Sequence, residues 1–536
     1  MTSYPANTSR SLTSLDDVEE NFNEFIGSQV LTHYKSNTTK IYNRSDTTID
    51  EEKSSTSVFE NGSIKWNPPL LSNPDQYLVD FDGPNDPMNA QNWKLKKKLI
   101  NAAILNFNTL VSVFTSSIFS TASSAFASEY HVSDEVGILG LSLFVLGFAF
   151  GPNIWAPLSE LKGRKPVLVW SRLGFSIFQI GTATARNVQT TLICRFLGGV
   201  FGAAPIAVVS GALVDMFSNK TRGIAMVLLC MAMFIGPLIA PFIGGFITQS
   251  SFGWRWTQWL TAALGFISFF LNLFLHESYA PAILVFKAVK LRQKTHNWAI
   301  HAKHEELEIN FKQLITIYLS RPIRMLLKEP ILILFSIYMS FIYGISYLFL
   351  TAYPIVFEEI HGIPPGNSGL PFFGMILGIV LGGTFVILTQ ASYSRKLTAN
   401  KNINIPEWRL PPMMVGSIIF AIGIFWFAWT GYKSSIHWII PTLSGIPTGF
   451  GLIVIFIQSI NYLVDTYLKF TASALAGSSL LRSLAGAGFP LFSGALFNTL
   501  GINWGCTILG FIAALLVLAP IIFYKYGSRI RASSSL

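Results

Sequence analysis

Three arginines stand inside long apolar runs, Arg172, Arg195 and Arg482. Inside a membrane-spanning helix an arginine costs roughly 2.5–3.5 kcal/mol even on the lenient insertion scale. Arg482 lies about ten residues into its run, or about 15 Å deep at the helical rise. Its side chain cannot easily reach water from there, so it should face a wet central cavity. Arg172 and Arg195 lie nearer the ends of their runs, where a long side chain can snorkel to the interface. Acidic groups are confined to the run ends. Glu160 and Arg164 flank Gly163, Asp215 is the natural partner for Arg164, and Asp465 ends a later run. No Asp or Glu occupies the middle third of any run.

Uncharged polar and aromatic side chains complete the set that a cavity could use. Tyr338, Tyr343 and Tyr347 are spaced five and four apart, and Asn106, Gln179, Gln458 and Asn461 lie on other runs. Aromatic walls with few polar groups suit amphipathic molecules. Gly236, Ala240 and Gly244 recur every four residues, a small-residue stripe that allows close helix contact. Pro237 and Pro241 within it remove backbone hydrogen bonds and bend a helix. The stripe reads as a hinge or a tight seam between moving bundles. No Gly-Lys dipeptide occurs, which excludes a nucleotide-binding P-loop, and no His-Glu-x-x-His occurs either. No Ser/His/Asp set can be singled out. Neither an enzyme nor a cofactor is expected.

The elements that must carry these residues follow from composition. The chain has 536 residues, 51% hydrophobic and 12% charged, with a mean hydropathy of +0.47 and a pI of 9.3. A soluble domain carries about a quarter charged residues, so most of this chain contacts lipid. Residues 1–93 hold 14 acidic and 6 basic side chains, which leaves +18 on the rest of a chain whose net charge is +10. That first segment, rich in Ser, Thr, Asn and Asp, reads as a disordered tail. Its sequons at Asn7, Asn37, Asn43 and Asn61 stay unglycosylated if the tail is cytoplasmic. The first twenty residues are polar and acidic, so no cleavable signal peptide is expected. The three cysteines, Cys194, Cys230 and Cys506, all fall in apolar segments and do not suggest a disulfide framework.

A spanning helix needs about 20 apolar residues. Twelve runs qualify, near 99–122, 136–157, 166–185, 190–214, 223–248, 256–275, 330–353, 370–388, 412–430, 437–462, 472–493 and 504–524. With the amino terminus inside, 26 Lys and Arg fall in inner segments and 3 (Arg186, Arg255 and Lys433) in outer ones. This asymmetry sets both termini in the cytoplasm and explains the basic pI without nucleic acid. Leu213-Val214-Asp215 and Leu463-Val464-Asp465 end the fourth and tenth runs, 250 residues apart. The expected organisation is an all-α membrane protein of two related six-helix bundles, 94–275 and 330–524. A tail of 1–93, a cytoplasmic linker of 276–329 and a terminus of 525–536 complete it. Apolar periodicity near Glu305 to Tyr318 predicts short amphipathic helices in the linker.

Several motifs carry a family resemblance. Ala156-Pro-Leu-Ser-Glu160-Leu-Lys-Gly163-Arg164-Lys165 resembles the loop signature of the major facilitator superfamily, with Glu160 where many members have Asp. Arg195-Phe-Leu-Gly198-Gly199-Val-Phe-Gly202 resembles its second signature, and Gly236-Pro237-Leu-Ile-Ala240-Pro241-Phe-Ile-Gly244-Gly245 its antiporter signature, with Ala240 in place of a common Gly. His276-Glu277-Ser-Tyr279-Ala280-Pro281, Pro406-Glu407-Trp-Arg409, Asn461-Tyr462-Leu-Val-Asp465, and Arg482-Ser483 followed by Phe489-Pro490 are similar to the fungal twelve-spanner drug:proton antiporters. The resemblance runs from about Asp82 to Arg531. It implies the major facilitator fold and proton-driven export of amphipathic toxicants. It also implies a proton-transfer role for Arg195 and makes Glu160, Arg164, Asp215 and Asp465 gating or coupling candidates. The implied partners are a small-molecule substrate, protons and lipid. A monomer in the plasma membrane or the vacuolar membrane is expected. The alternatives are a nutrient or polyamine transporter, and a transporter-like sensor that signals through its tail.

Overall fold

The computed structural model describes residues 77–306, 320–400, 405–467 and 470–532. Most of the first segment with its four sequons, and the linker stretch 307–318, lie outside the described residues. The described residues are mostly helical.

Nine helical stretches among the described residues are long and apolar enough to cross a membrane. They are labelled here with the further spans they imply. In the first half α1 is Leu95–Tyr130, α2 is Asp134–Lys162, α3 is Arg164–Thr184, α4 is Val188–Met216 with a joint at Ala203, α5 is Asn219–Gln249 and α6 is Arg255–Leu273. In the second half α7 is Pro330–Pro354, α8 is Phe372–Ala399, α9 is Leu410–Thr430 and α10 is Gly445–Thr466. One helical stretch, Thr471–Leu516, is broken at Gly501, whose φ of 72° and ψ of 166° are not helical. It is therefore two spans, α11 over 471–500 and α12 from 502, which continues as Leu518–Ala532. α3 and α6 are more polar than the nine, with Arg172 and Gln179 on one and Gln258 and Asn272 on the other, all buried. At 19 residues α6 still measures about 28 Å. Twelve spans result.

Local chemistry sets the helix ends. α1 runs eight residues past the expected 122. Thr115 and Ser117 donate to the carbonyls of Val111 and Val113 one turn back, and Thr121 and Ser123 donate to Ile118 and Ser120. These bonds give the buried and half-buried hydroxyls of a Ser/Thr-rich stretch partners within the helix. α1 stops at His131, in the left-handed region, whose N–H closes on Ala127 and Ser128. α2 begins with Asp134 and Glu135, favourable at a helix start. It ends at Gly163, where φ is 92°. A side chain there would be strained, and a Cβ would sit 2.6 Å from Glu277 Oε2.

Two corrections concern the ends of the first bundle. Residues 77–93, read as part of a disordered tail, form an ordered strap. Leu78 bridges to His301 in a parallel pair, with Val79 N donating to His301 O at 2.9 Å and His301 N to Tyr77 O at 3.0 Å. Val79 packs with Ala288 and Ala302. Asp86 accepts the N–H groups of Asp82 and Met88 at 2.9 and 2.7 Å, and Lys287 lies 3.7 Å from it. Those backbone donors, more than Lys287, hold the Asp86 carboxyl below its ordinary pKa. The linker also has a helix where none was expected, Ala280–Thr295. It is the strap's partner, and Ala90 and Trp93 at the strap's end pack into the first half.

Among the described residues the halves meet along several helix pairs. Ser116 of α1 and Tyr347 of α7 share a hydrogen bond of 2.8 Å. On α2 and α11, a Cβ at Gly486 would lie 3.2 Å from Val145. On α5 and α8, Met231 fills the space over Gly383, and Phe242 packs on Phe373 with ring centroids 5.4 Å apart.

Candidate functional site

The middle of the molecule holds one cationic, aromatic cluster built from five helices. Arg482 on α11 is 7% exposed. Its guanidinium lies 5.2 Å from the ring of Tyr343 on α7 and 5.1 Å from that of Phe456 on α10. Phe234 on α5 packs on both, at 5.9 and 4.8 Å between centroids. The Tyr343 hydroxyl donates to Tyr347 at 3.4 Å, and Tyr347 meets Ser116 on α1. Arg482 makes one hydrogen bond, 3.1 Å to Ser479 on its own helix, and its Nε is buried without a partner. Among the described residues no carboxylate pairs with it. The guanidinium is packed against rings rather than standing in open water.

The other two buried arginines are arranged differently. Arg195 does not snorkel. It is fully buried and donates to the carbonyls of Gly140, Thr115 and Ser116 at 2.9, 3.1 and 3.2 Å, with its guanidinium 4.3 Å from the Phe144 ring. It therefore ties α4 to α2 and α1. Its hold on Ser116 sits one residue's backbone away from the hydroxyl that meets Tyr347. Arg172 also departs from the expected snorkelling. It turns into the first bundle and donates to Asn108 Oδ1 and Ser112 Oγ at 2.8 and 2.8 Å, and to the Asn108 carbonyl. Asn108 pairs with Asn272 of α6 at 2.8 Å. Polar partners were present within the bundle, so reaching water was unnecessary. Asn108, Ser112 and Asn272 went unnoticed in the sequence because each looks like an ordinary polar residue in an apolar helix.

The remaining candidates divide. Tyr343 and Tyr347 join the cluster. Tyr338 is about 140° round α7 from Tyr343 at 3.6 residues per turn, and it faces Ser417 of α9. Gln179 is fully buried within the first half, where Thr261 of α6 donates to it at 3.4 Å. Gln458 is buried with its Oε1 unpartnered. It lies on the same face of α10 as Gly451 and Val454, which pack against Gly416 of α9. Asn106 is half-buried with Oδ1 unpartnered, and Asn461 is half-buried near the end of α10. The small-residue stripe of α5 is corrected in its partner. A Cβ at Gly236 would lie 2.5 Å from Val113, Ala240 is buried with Phe114 and Ile118, and Gly244 abuts Thr121. All of these partners are on α1, so the seam lies inside the first half. Pro237 and Pro241 sit within an unbroken helix.

At the basic end each half carries an ion pair. Arg164 Nε lies 3.2 Å from Asp215, and Arg164 also donates to Ser159 at 2.8 Å. Glu277 accepts the N–H groups of Arg164 and Lys165, both at 3.0 Å, and so closes the start of α3. The Arg164 guanidinium sits 4.7 Å from the Tyr279 ring. Burial, then the nearby Glu160 carboxylate, push the Tyr279 hydroxyl up to about 12. Arg409 Nε lies 2.9 Å from Asp465 and 3.5 Å over the Tyr393 ring, and it donates to Gln390 at 2.8 Å. The repeated Leu-Val-Asp was the signal that could have paired Arg409 with Asp465, by analogy with Arg164 and Asp215.

At the opposite end Glu129 of α1 takes Arg255 at 2.6 Å and the Trp254 indole at 2.7 Å. The three cysteines are free.

The Major Facilitator Superfamily family model matches residues 105–490. The chain is 46% identical over 469 residues to the multidrug transporter TPO1_2 of Candida glabrata, covering 87% of this chain and 81% of that protein. It is 44% identical over 476 residues to the major facilitator superfamily multidrug transporter FLU1 of Candida albicans, covering 88% and 78%. Among solved structures the proton:xylose symporter XylE bound to a bromo-deoxyglucose superposes with a TM-score of 0.58 over 81% of this chain and 96% of that one. At 16% identity that likeness speaks for the fold alone.

Proposed function

This chain belongs to the major facilitator superfamily, and from that premise we propose that it exports amphipathic small molecules across a membrane by proton-coupled alternating access. It is a multi-pass transporter of small molecules. The export direction draws support from relatives at 46% and 44% identity that carry the name multidrug transporter. The observation that carries the reading is the buried Arg482–Tyr343–Tyr347 cluster, held between helices of both halves. A site made of both halves is what a rocking mechanism requires, because each half can then release its part of the grip in turn.

In this reading the basic end faces the cytoplasm of a monomer in the plasma membrane or the vacuolar membrane. Opening toward the other end separates Ser116 from Tyr347 and Phe242 from Phe373. Proton coupling is assigned to the Glu160–Arg164–Asp215 group, where two carboxylates share the surroundings of one guanidinium. Substrate and proton binding must then be linked through one conformational equilibrium.

The test is a drug-sensitivity profile of cells lacking the protein, complemented with wild type or with Arg482→Ala. Hypersensitivity to several unrelated apolar compounds, rescued by wild type and not by the variant, is the expected result. An unchanged profile would sink the export reading.

A further inference from the structure

We infer that the substrates of the central site are amphipathic organic anions, carboxylates and phenolates on an aromatic or alkyl body, and that Arg482 selects them. The inference rests on the export reading above and gives it a substrate class.

The three buried arginines supply the argument. Arg195 has all three of its nitrogens on backbone carbonyls, and Arg172 has side-chain and backbone partners on α1. Both are structural ties between helices of one bundle. Arg482 contacts other helices through ring faces and has no hydrogen-bond acceptor on them among the described residues. Its one hydrogen bond reaches a serine a turn back on the same helix, and its Nε is buried and empty. An unfilled buried donor is costly, and more so on a charged group. The Arg482 guanidinium has the donors for an oxyanion, and among the described residues the Ser479 hydroxyl is its one protein acceptor.

The surroundings fit the rest of such a ligand. Tyr343, Phe456 and Phe234 offer ring faces to an apolar body. The hydroxyls of Tyr343, Tyr347 and Ser116 form a chain beside them that ends on the Val113 carbonyl, and a ligand oxygen can exchange with one of those bonds. The carboxylates of the spans lie in the end turns, among them Glu160, Asp215 and Asp465 at the basic end and Glu129 and Glu358 at the other. A polycation entering this cluster would meet a guanidinium and no carboxylate. An anion would meet a charge-assisted donor able to bind it through two nitrogens. An inside-negative potential also drives a bound anion outward.

The experiment uses the full chain purified in detergent and three probes of one shape, 1-naphthoate, 1-naphthamide and 1-naphthylmethylammonium, titrated by calorimetry at neutral pH. The expected order is naphthoate tightest, by about tenfold over the amide, as one charge-assisted hydrogen bond implies. The ammonium binds weakest. Arg482→Gln brings the naphthoate-to-naphthamide affinity ratio to about 1, and Arg482→Lys keeps it well above 1. If Arg482→Gln yields no folded protein, the wild-type order and the lysine variant decide. Equal binding of the three probes by wild type, tighter ammonium binding, or a naphthoate preference that survives in Arg482→Gln would each overturn the inference. So would the failure of all three probes to bind. Any of these alongside intact drug hypersensitivity of cells lacking the protein leaves the export reading standing.

Discussion

Arg164 and Asp215 in the first half, and Arg409 and Asp465 in the second, make the same contact at 3.2 and 2.9 Å, each with the guanidinium over a tyrosine ring. What surrounds the two pairs differs. In the first half Glu277 closes the start of α3 and Glu160 adds a second acid beside the pair. In the second half Glu407 turns away to Arg531 of the last helix at 2.6 Å, and Gln390 stands by Arg409. The duplicated contact is architectural, since both copies join the start of one span to the end of another. The added carboxyl is not duplicated, which points proton handling to the first half. The membrane interior shows a second asymmetry. The first half ties its two buried arginines to neighbouring helices through several hydrogen bonds, although Arg172 Nη1 has no partner, and the second holds Arg482 by one bond within its own helix.

The largest effect should come from exchanging those arginines. Arg195→Ala removes three hydrogen bonds and opens a cavity between α1, α2 and α4, a loss of about 3–5 kcal/mol. Arg482→Met removes a cation with one hydrogen bond and should leave stability unchanged or raise it by up to about 2 kcal/mol. Thermal midpoints of the two purified variants decide the matter. If Arg482→Met falls as far as Arg195→Ala, Arg482 is a structural tie and the contrast between the halves dissolves.

The acids are the next comparison. Asp215→Asn should slow efflux driven by an imposed proton gradient in vesicles by about tenfold, the scale of one lost proton-transfer or charge contact. Asp465→Asn, with no second carboxyl in its group, should slow it by about twofold to threefold. Equal losses would assign the coupling to both halves or to neither. The turns differ as well. Gly163→Ala places a methyl at φ 92° and against Glu277, while at Gly501 the space is freer, with only Asn503 at 3.0 Å. A loss of about 1–3 kcal/mol is expected for Gly163→Ala, and less for Gly501→Ala, again read as thermal midpoints.

The twelve spans, the two halves and the Arg164–Asp215 pair were legible because each leaves a mark along the chain: apolar length, basic loops, a repeated tripeptide. Arg482 was legible through its depth. What the sequence hid was direction around a helix axis among buried helices. α7 and α10 are buried on nearly every side, so no polar face tells Tyr343 from Tyr338 or separates Gln458 from the cluster. The stripe on α5 had the right spacing for a seam, but spacing does not name the partner, and α1 rather than the second half filled it. The snorkelling expected of Arg172 failed for a related reason. Asn108 and Asn272 lie 164 residues apart, and only the fold brings them together as its acceptors. The strap was missed because residues 77–93 have a tail's composition and gain their order from Lys287, Ala288 and His301 far along the chain.

The smallest expected effect concerns that strap, which the first half has and for which the second has no counterpart among the described residues. His301 holds Leu78 by its backbone, while its ring meets the Ala299 carbonyl at 2.7 Å and Glu306 at 2.7 Å. The Ala299 carbonyl, and after it Glu306, raise the imidazole above its ordinary value of 6.5. A raised folded-state pKa means that the protonated ring favours the folded turn of residues 299–306, whose His301 backbone holds the strap. Its contribution is fully present below the ordinary value and is lost as pH rises through the raised one. Hydrogen exchange of residues 77–93 should therefore quicken modestly as pH rises above 6.5, beyond the intrinsic pH dependence of exchange. The His301→Gln variant should lack that extra step. Asp86 acts in the opposite sense, since its lowered carboxyl loses its contribution only in acid, so the two groups affect the strap in separate pH windows. A strap whose protection is flat with pH in wild type would show that the backbone bridge alone holds it. The first half would then have no titrating latch to set it apart from the second.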